Sequence, residues 1–415
     1  MTSTLNRIDR PAPADRAKPR GVNSTLAQLR VGVITTSRAD YGIYCPLLEA
    51  LRDAGTRIEI FAGGTHPVAH FGTTIEQIRA DDWGATHVVS HHVEGDRDVD
   101  LVRNGAAALT AFGDSLAAHR PDLVLALGDR YEMFAATSAA ALLKIPIAHL
   151  HGGDLTEGAY DDQFRHAMTK LAHLHFAALP IHAVRILAMG EEPWRVHAVG
   201  ALAIDALRRF RPESAAEIHR DVGFSADRHT LLLAFHPETL STLPPADAFS
   251  RIARAVESFD GNVLLIGSNA DEGHLDLNRA AADWSRDRSR TARVASLSQQ
   301  RFWSWLHYAA LLVGNSSSGV IEAPSLSLPV VNIGDRQSGR LRAGNVIDVT
   351  CDTAAIAAAI RRATAPAFRN ELKGLVNPYG DGRAAEQILN VLAALPPRDL
   401  LLRKRWTDAS APASP

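Results

Sequence analysis

Only two cysteines occur in the 415 residues, Cys45 and Cys351, and neither has a second cysteine or a histidine beside it at ligand spacing. That excludes a disulfide framework and a cysteine-based zinc site, and a reducing, cytoplasmic setting is expected. Long apolar runs are missing too: none approaches the roughly 18 residues needed to cross a bilayer. Charge of one sign is not in excess, because 44 Lys+Arg against 46 Asp+Glu leave a net −2, so neither nucleic acid nor an anionic membrane is expected as partner. No GxxxxGK[ST] occurs, and no GxGxxG follows the first strand. The first absence excludes a P-loop, and the second argues against a dinucleotide oxidoreductase. The N-terminal stretch 1–28 is rich in Pro, Ala, Arg and Ser and has no apolar h-region. It reads as a disordered tail rather than a secretory signal, as does the low-complexity end 406–415.

What is present is alternation. Short aliphatic runs (VGVITTS, RIEIFAG, THVVS, DLVLALG, IPIAHL, then 174–178 and 196–199) are separated by stretches of helical spacing such as 101–119. A second series begins with HTLLLAFHP and continues through NVLLIGS, ALLVGNSSS and SLPVVNIGD. Buried strands alternating with helices argue βαβ units and parallel sheets. A chain of this length exceeds the roughly 250–300 residues that one core supports. The expectation is therefore an α/β protein with two Rossmann-like domains facing a central cleft. The first spans 29–208 and the second 209–381, with a last helix near 382–396 returning to the first. In open α/β sheets ligands sit beyond the carboxyl ends of the strands.

The polar residues gather at those ends. LALGDRYEM stops in Asp129 and Arg130; HLHGGDLTEGAYDDQFRHA supplies His149, His151, Asp154, Asp161, Asp162, Arg165 and His166; FHPET supplies His236. Some of these carboxylates have a plainer reading, since Asp161 or Asp162 can cap the helix that follows. Paired carboxylates can also deliver and remove protons on a sugar. The His-x-His and the scattered aspartates lack tight ligand spacing, so no metal site is expected. VGNSSSGVIEAP sets Ser316 and Ser317 at a strand-to-helix turn, where free N–H groups and hydroxyls suit a phosphate, although serine is also an ordinary helix cap. Glu322, five residues on, is either a surface helix glutamate or a carboxylate for the hydroxyls of a ribose. Arg38 in TTSRADYG, with Arg130, Arg336 and Arg340, completes a set of post-strand arginines fit for an anionic ligand.

Taken in order, TSRADYG, GDRYEM, HGGDLTEGAYDDQFRHAMTKLAHLHF, FHPET, GNSSSGVIEAP and VNIGDRQSGR resemble the hydrolysing UDP-N-acetylglucosamine 2-epimerases of bacterial sialic-acid biosynthesis, over roughly residues 30–395. The resemblance implies a GT-B-like fold with a nucleotide-sugar in the cleft and no cofactor. Arg38, Ser316 and Ser317 would then meet the diphosphate, with Arg336 bordering that pocket, and Glu322 would hold the ribose. Asp129 and Arg130 would face the sugar, Asp162 or Asp161 would stand across from them, and His236 would sit near the sugar–phosphate junction. Asp154 stands where the bacterial hydrolysing branch has glutamate, and His151 stands where non-hydrolysing relatives have glutamate. The division of acid and base among Asp129, His151, Asp154 and Asp162 stays open on these grounds.

The reaction implied is elimination of UDP to a 2-acetamidoglucal and hydration to N-acetylmannosamine. A UDP- or GDP-linked 2,4-diacetamido-2,4,6-trideoxy sugar is the alternative substrate, and a GT-B glycosyltransferase the alternative class. The partners expected are the nucleotide-sugar and further copies of the chain, as a dimer or tetramer.

Overall fold

A computed structural model describes residues 24–408, apart from 69–73, 92, 96, 221, 225–226, 228 and 269–270. The first sheet contains β1 (Arg30–Thr35), β2 (Arg57–Ala62), β3 (Ala85–Val88), β4 (Leu123–Leu127), β5 (Ile147–Leu150), β6 (Leu174–Ala177) and β7 (Val196–Ala198). Its order is β3-β2-β1-β4-β5-β6-β7, parallel throughout. The second sheet contains β8 (Thr230–Ala234), β9 (Asn262–Ile266), β10 (Thr291–Val294), β11 (Leu311–Gly314), β12 (Val330–Ile333) and β13 (Val346–Val349). Its order, β10-β9-β8-β11-β12-β13, repeats the pattern. Both are doubly wound, which is why the central strands are near-continuous aliphatic runs: LVLAL of β4 and TLLLA of β8 are buried at every position.

Each sheet carries an apolar cluster on either face. In the first, Val31, Val33 and Leu125 pack one way while Ile34, Val124 and Ala126 pack the other. In the second, Leu231 and Leu233 are separated in the same way from Leu232 and Ala234. The helix Ala384–Ala393 places Ile388 and Leu392 in the first core with Leu47 and Leu51. Its start is fixed by Asp205, whose two carboxylate oxygens accept from the backbone N–H groups of Ala384 (2.9 Å) and Ala385 (2.8 Å), a favourable charge at a helix N-terminus.

The expected tails need correction where they are described. Ser24–Gln28 is a short helix with Leu26 buried in the first core. At the other end Trp406 stacks under Lys170 Nζ at 4.5 Å, and Thr407 N–H donates to Gly190 O at 3.1 Å. Residues 1–23 and 409–415 lie outside the described residues. Among the described residues no helix is long and apolar enough to cross a membrane.

Candidate active site

In each sheet the strand order reverses between two neighbours, β1 and β4 in the first and β8 and β11 in the second. Such switch points open a crevice beyond the strand ends. The loops after these four strands carry TTSR, GDR, HPE and NSSS, so Arg38, Asp129, His236 and Ser316–Ser317 all stand at switch points. Local chemistry holds each loop. Ser37 and Asp40 form a reciprocal capping box that starts the helix Arg38–Asp53 at Arg38. His149 is fully buried and its Nε2–H donates to Gly128 O at 2.8 Å, pinning the turn that delivers Asp129. Gly314 brings β11 against β8 so closely that a Cβ there would lie 2.0 Å from Ala234 O, and Asn315 then exchanges two hydrogen bonds with the His236 backbone.

The loop after β5 bridges the domains. Glu157 N–H donates to Ser338 O (3.3 Å), Tyr160 N–H donates to Thr239 Oγ1 (3.1 Å), and Gly158 lies so near Asp335 that a Cβ would meet its carbonyl at 2.4 Å. Charge pairs reinforce the bridge in both directions. Arg340 of the second domain reaches Asp154 (3.2 Å) and Leu155 O (3.1 Å) in the first. Arg130 of the first reaches Asp271 (3.1 Å) in the second, where Arg336 also lies 3.6 Å from Asp271.

These contacts separate the carboxylates by role. Asp154 is buried and ringed by Arg340, Arg165 (3.3 Å) and His182 (3.2 Å). Burial opposes its charge, but the two arginines and His182 outweigh burial and hold its pKa far below the usual range. It is a fixed anion. Asp129 accepts from the buried Arg165 and from Thr156 Oγ1; here too burial is outweighed by Arg165 and Arg340, and the pKa is lowered. Asp162 accepts from Thr156 N–H (2.7 Å) and lies 3.3 Å from His166, and its pKa is also lowered, burial being offset by His166 and the Thr156 amide. Asp161 differs. Among the described residues its side chain has no hydrogen bond and no cation partner, and burial, with Asp129 and Asp271 nearby, raises its pKa to about 7. Neither aspartate caps the following helix: the N-cap is Tyr160, with both in the first turn.

His151 and His236 are neutral. Burial lowers His151 to about 4 and His236 to about 3. His151 sits at a left-handed φ of 63°, with Nε2 buried and without a hydrogen-bond partner among the described residues.

Across the cleft, Ser316 and Ser317 precede a helix of a single turn, Ser318–Ile321, and Ser317 makes no side-chain cap bond. Glu322 is therefore not inside a regular helix but at its junction with the 3₁₀ turn Ala323–Leu326. It is buried, its Oε2 has no hydrogen-bond partner, and burial lifts its pKa to about 7 against the Ser318 hydroxyl. Arg38 is half-buried, and among the described residues its guanidinium has no carboxylate against it; burial lowers its pKa. Among the described residues, a buried carboxylate with one oxygen unpartnered and a half-buried arginine without a carboxylate are unsatisfied groups of the kind that a ligand completes.

Residues 49–393 match the family described as UDP-N-acetylglucosamine 2-epimerase. The chain belongs to that family. Among curated relatives, a polysialic acid biosynthesis protein P7 of Escherichia coli is 32% identical over 83% of this chain and 89% of its own length. A UDP-N,N'-diacetylbacillosamine 2-epimerase (hydrolyzing) of Legionella pneumophila is 31% identical over 89% of this chain and 97% of its own length. The fold matches a Neisseria meningitidis UDP-GlcNAc 2-epimerase crystallised with UDP-GlcNAc, with a TM-score of 0.75 at 17% identity, over 88% of this chain and all of that one. The two Rossmann-like sheets are thus a GT-B-like pair.

Within that fold Arg165, one of the polar residues after β5, is buried and bonded to Asp129. The structure also adds two residues that motif reading passed over: Asp271 joins Arg130 to Arg336, and Thr156 links Asp129 to Asp162. Asp271 lies in SNADEG, a loop with no motif to mark it. The described residues with metal-ligand spacing, Glu59, His87 and His119, lie in β2, in β3 and at the end of the helix Asp98–His119, and none is in the loops that carry the candidate site. Arg30 already occupies the Glu59 carboxylate.

Proposed function

We propose that the chain is a hydrolysing 2-epimerase that converts UDP-N-acetylglucosamine to N-acetylmannosamine and UDP. The observation that carries this reading is the split between Asp129, bonded to Arg165 with its pKa lowered, and Asp161, which has no such partner among the described residues and whose pKa burial and two neighbouring carboxylates raise to about 7. Carboxyl groups whose environments drive their pKa values apart mark an acid and a base. Asp129 takes the C2 proton while the C1–O bond breaks and its electron pair leaves with UDP. A weak base suffices, because departure of the diphosphate draws electrons from C1 and acidifies the C2–H. Arg38, Arg336 and the Ser316–Ser317 turn receive the departing charge. Water then adds at C1 of the 2-acetamidoglucal, and Asp161 returns a proton to C2 on the opposite face. Arg130 orients both ends of this arrangement through Glu132 and Asp271. His236 is an uncharged donor or acceptor beside them, Asp154 supports Arg165 and Arg340, and His151 is a neutral imidazole near both arginines. No redox cofactor or metal enters this scheme.

Isotopes test it. In deuterium oxide the N-acetylmannosamine formed carries one deuterium at C2, and in oxygen-18 water the released UDP carries no label. Return of the original C2 hydrogen would exclude elimination, and label in UDP would mean cleavage at phosphorus. A glycosyltransferase would show no turnover without an acceptor. The Legionella relative supports a second substrate, a UDP-linked sugar with an additional acetamido group at C4. Parallel assays of nucleotide release from the two sugars separate these readings.

Nucleotide binding gives two further expectations. Replacing Arg38 by Ala, which removes a charge-assisted contact, weakens UDP binding by roughly 10- to 150-fold; unchanged affinity in calorimetry would remove Arg38 from the site. Glu322 binds ribose hydroxyls as a carboxylate but carries a proton below about pH 7. UDP affinity therefore rises between pH 6 and 8, and Glu322→Gln loses that component. An unaltered pH dependence in the variant would sever Glu322 from the ribose.

A further inference from the structure

Among the described residues six carboxylates crowd this end of the cleft; Asp162 is held by the Thr156 amide and His166, and of the other five all but one have an arginine against them. Asp129 has Arg165, Asp154 has Arg165 and Arg340, Glu132 has Arg130, and Asp271 has both Arg130 and Arg336. Asp161 is the exception among the described residues, although Arg130 and Arg336 are close enough for their charges to act on it. Two guanidinium groups that could neutralise Asp161 are thus turned to Asp271, which lies buried across the domain boundary. We propose that Asp271 is a positioning residue for the proton carrier: entering from the second domain, it holds Arg130 and Arg336 and so leaves Asp161 unpaired.

The inference rests on the reading of Asp161 as the group that returns the proton. Its consequence is that the acid is completed only when the domains meet, since Asp161 and Arg130 belong to one and Asp271 and Arg336 to the other. The charged and titratable groups acting on Asp161 are Asp129 and Arg130, with Tyr160 beside it, from the first domain, and Asp271 and Arg336 from the second. Removing the Asp271 charge acts in one direction by two routes. A repulsive neighbour disappears, and Arg336 and the Nη1 end of Arg130, which keeps Glu132, become available to Asp161. Both stabilise its ionised form.

The test is the pH–rate profile of Asp271→Asn alongside the parent. The high-pH limb, set in the parent by loss of the Asp161 proton at about pH 7, moves down by about one unit. The loss in kcat is then about eightfold at pH 7.5 and nearly absent at pH 5.5. Asp271→Glu, which restores the charge, returns the limb to its parental position, and Asp271→Ser provides a second neutral variant should the Asn protein not fold. Carbon-13 NMR of labelled aspartate reads the same shift without turnover. A signal titrating near 7 in the parent, absent from Asp161→Asn, titrates lower in Asp271→Asn. An unmoved limb and signal in the neutral variants, or an upward shift, would overturn the role of Asp271. If instead Asp161→Asn retains turnover and the signal near 7, the reading of Asp161 itself fails, separately from this one.

Discussion

Asp161→Asn is expected to lower kcat by about 10²- to 10⁴-fold, the usual worth of a positioned proton donor, while UDP binds as before. An amide keeps the shape of the side chain but has no acidic proton to give. The parent rate falls as pH rises through about 7, because the group that must be protonated has that pKa. Asp129→Asn should be as damaging for the opposite reason, since Asp129 must be ionised and Arg165 already holds it so. The acid limb contributed by Asp129 therefore lies below the usual carboxylate range. Asp162→Asn separates the two neighbours: its carboxylate holds the Thr156 amide and His166, so loss there is of positioning and leaves the limb near pH 7 in place. Steady-state kinetics from pH 5 to 9 read all three. Near-parental kcat in Asp161→Asn, with an inactive Asp162→Asn, would transfer the proton to Asp162.

The choice between those adjacent aspartates shows where sequence reasoning stops. The motif HGGDLTEGAYDDQFRHA announces carboxylates after β5, and the alternation of aliphatic runs places them at strand ends. What distinguishes Asp161 from Asp162 is a partner: one faces a backbone amide and an imidazole, the other faces only anions and arginines already engaged. Several of those neighbours are remote in the chain, Asp271 by more than a hundred residues. The same limit hid two strands. β10, TARV, and β13, VIDV, are sheet edges that are short and only partly buried, so neither shows the continuous apolar run that revealed β8 or β11. The Ser316–Ser317 turn was legible as small residues after a strand, but not as a single helical turn, because Gly314 and Asn315 serve contacts with the β8 end rather than a helix.

Asp154→Asn is expected to be the most destabilising single change in the cleft, by about 3 kcal/mol, because it takes the carboxylate from Arg340 and one of the two, the other being Asp129, from Arg165, while both cations stay buried. Arg165 has 2% of its side chain exposed and Arg340 8%. The Arg165–Asp154 contact is one of charge more than of hydrogen bonding, since Arg165 Nη1 and Nε make no hydrogen bond. An amide at the same position therefore does not replace it. Arg340 keeps Leu155 O and Gln337 as partners, so its orientation survives better than its solvation. The folded-state pKa of Asp154 is depressed. Its contribution is thus fully present above the unfolded value of about 4 and is lost as pH falls through the folded one. Melting temperatures should show a deficit of roughly 6–12 °C for a domain of this size, constant from pH 6 to 8 and closing only in strong acid. A deficit that shrinks toward zero at neutral pH would mean that Asp154 is not the anion of this cluster. Because Arg340 belongs to the second domain, the variant also loosens the closed cleft. Combined with Arg340→Met, which removes one of the orphaned cations, Asp154→Asn costs less than the sum of the two single changes. Strict additivity would place Arg340 outside the network that holds the domains together.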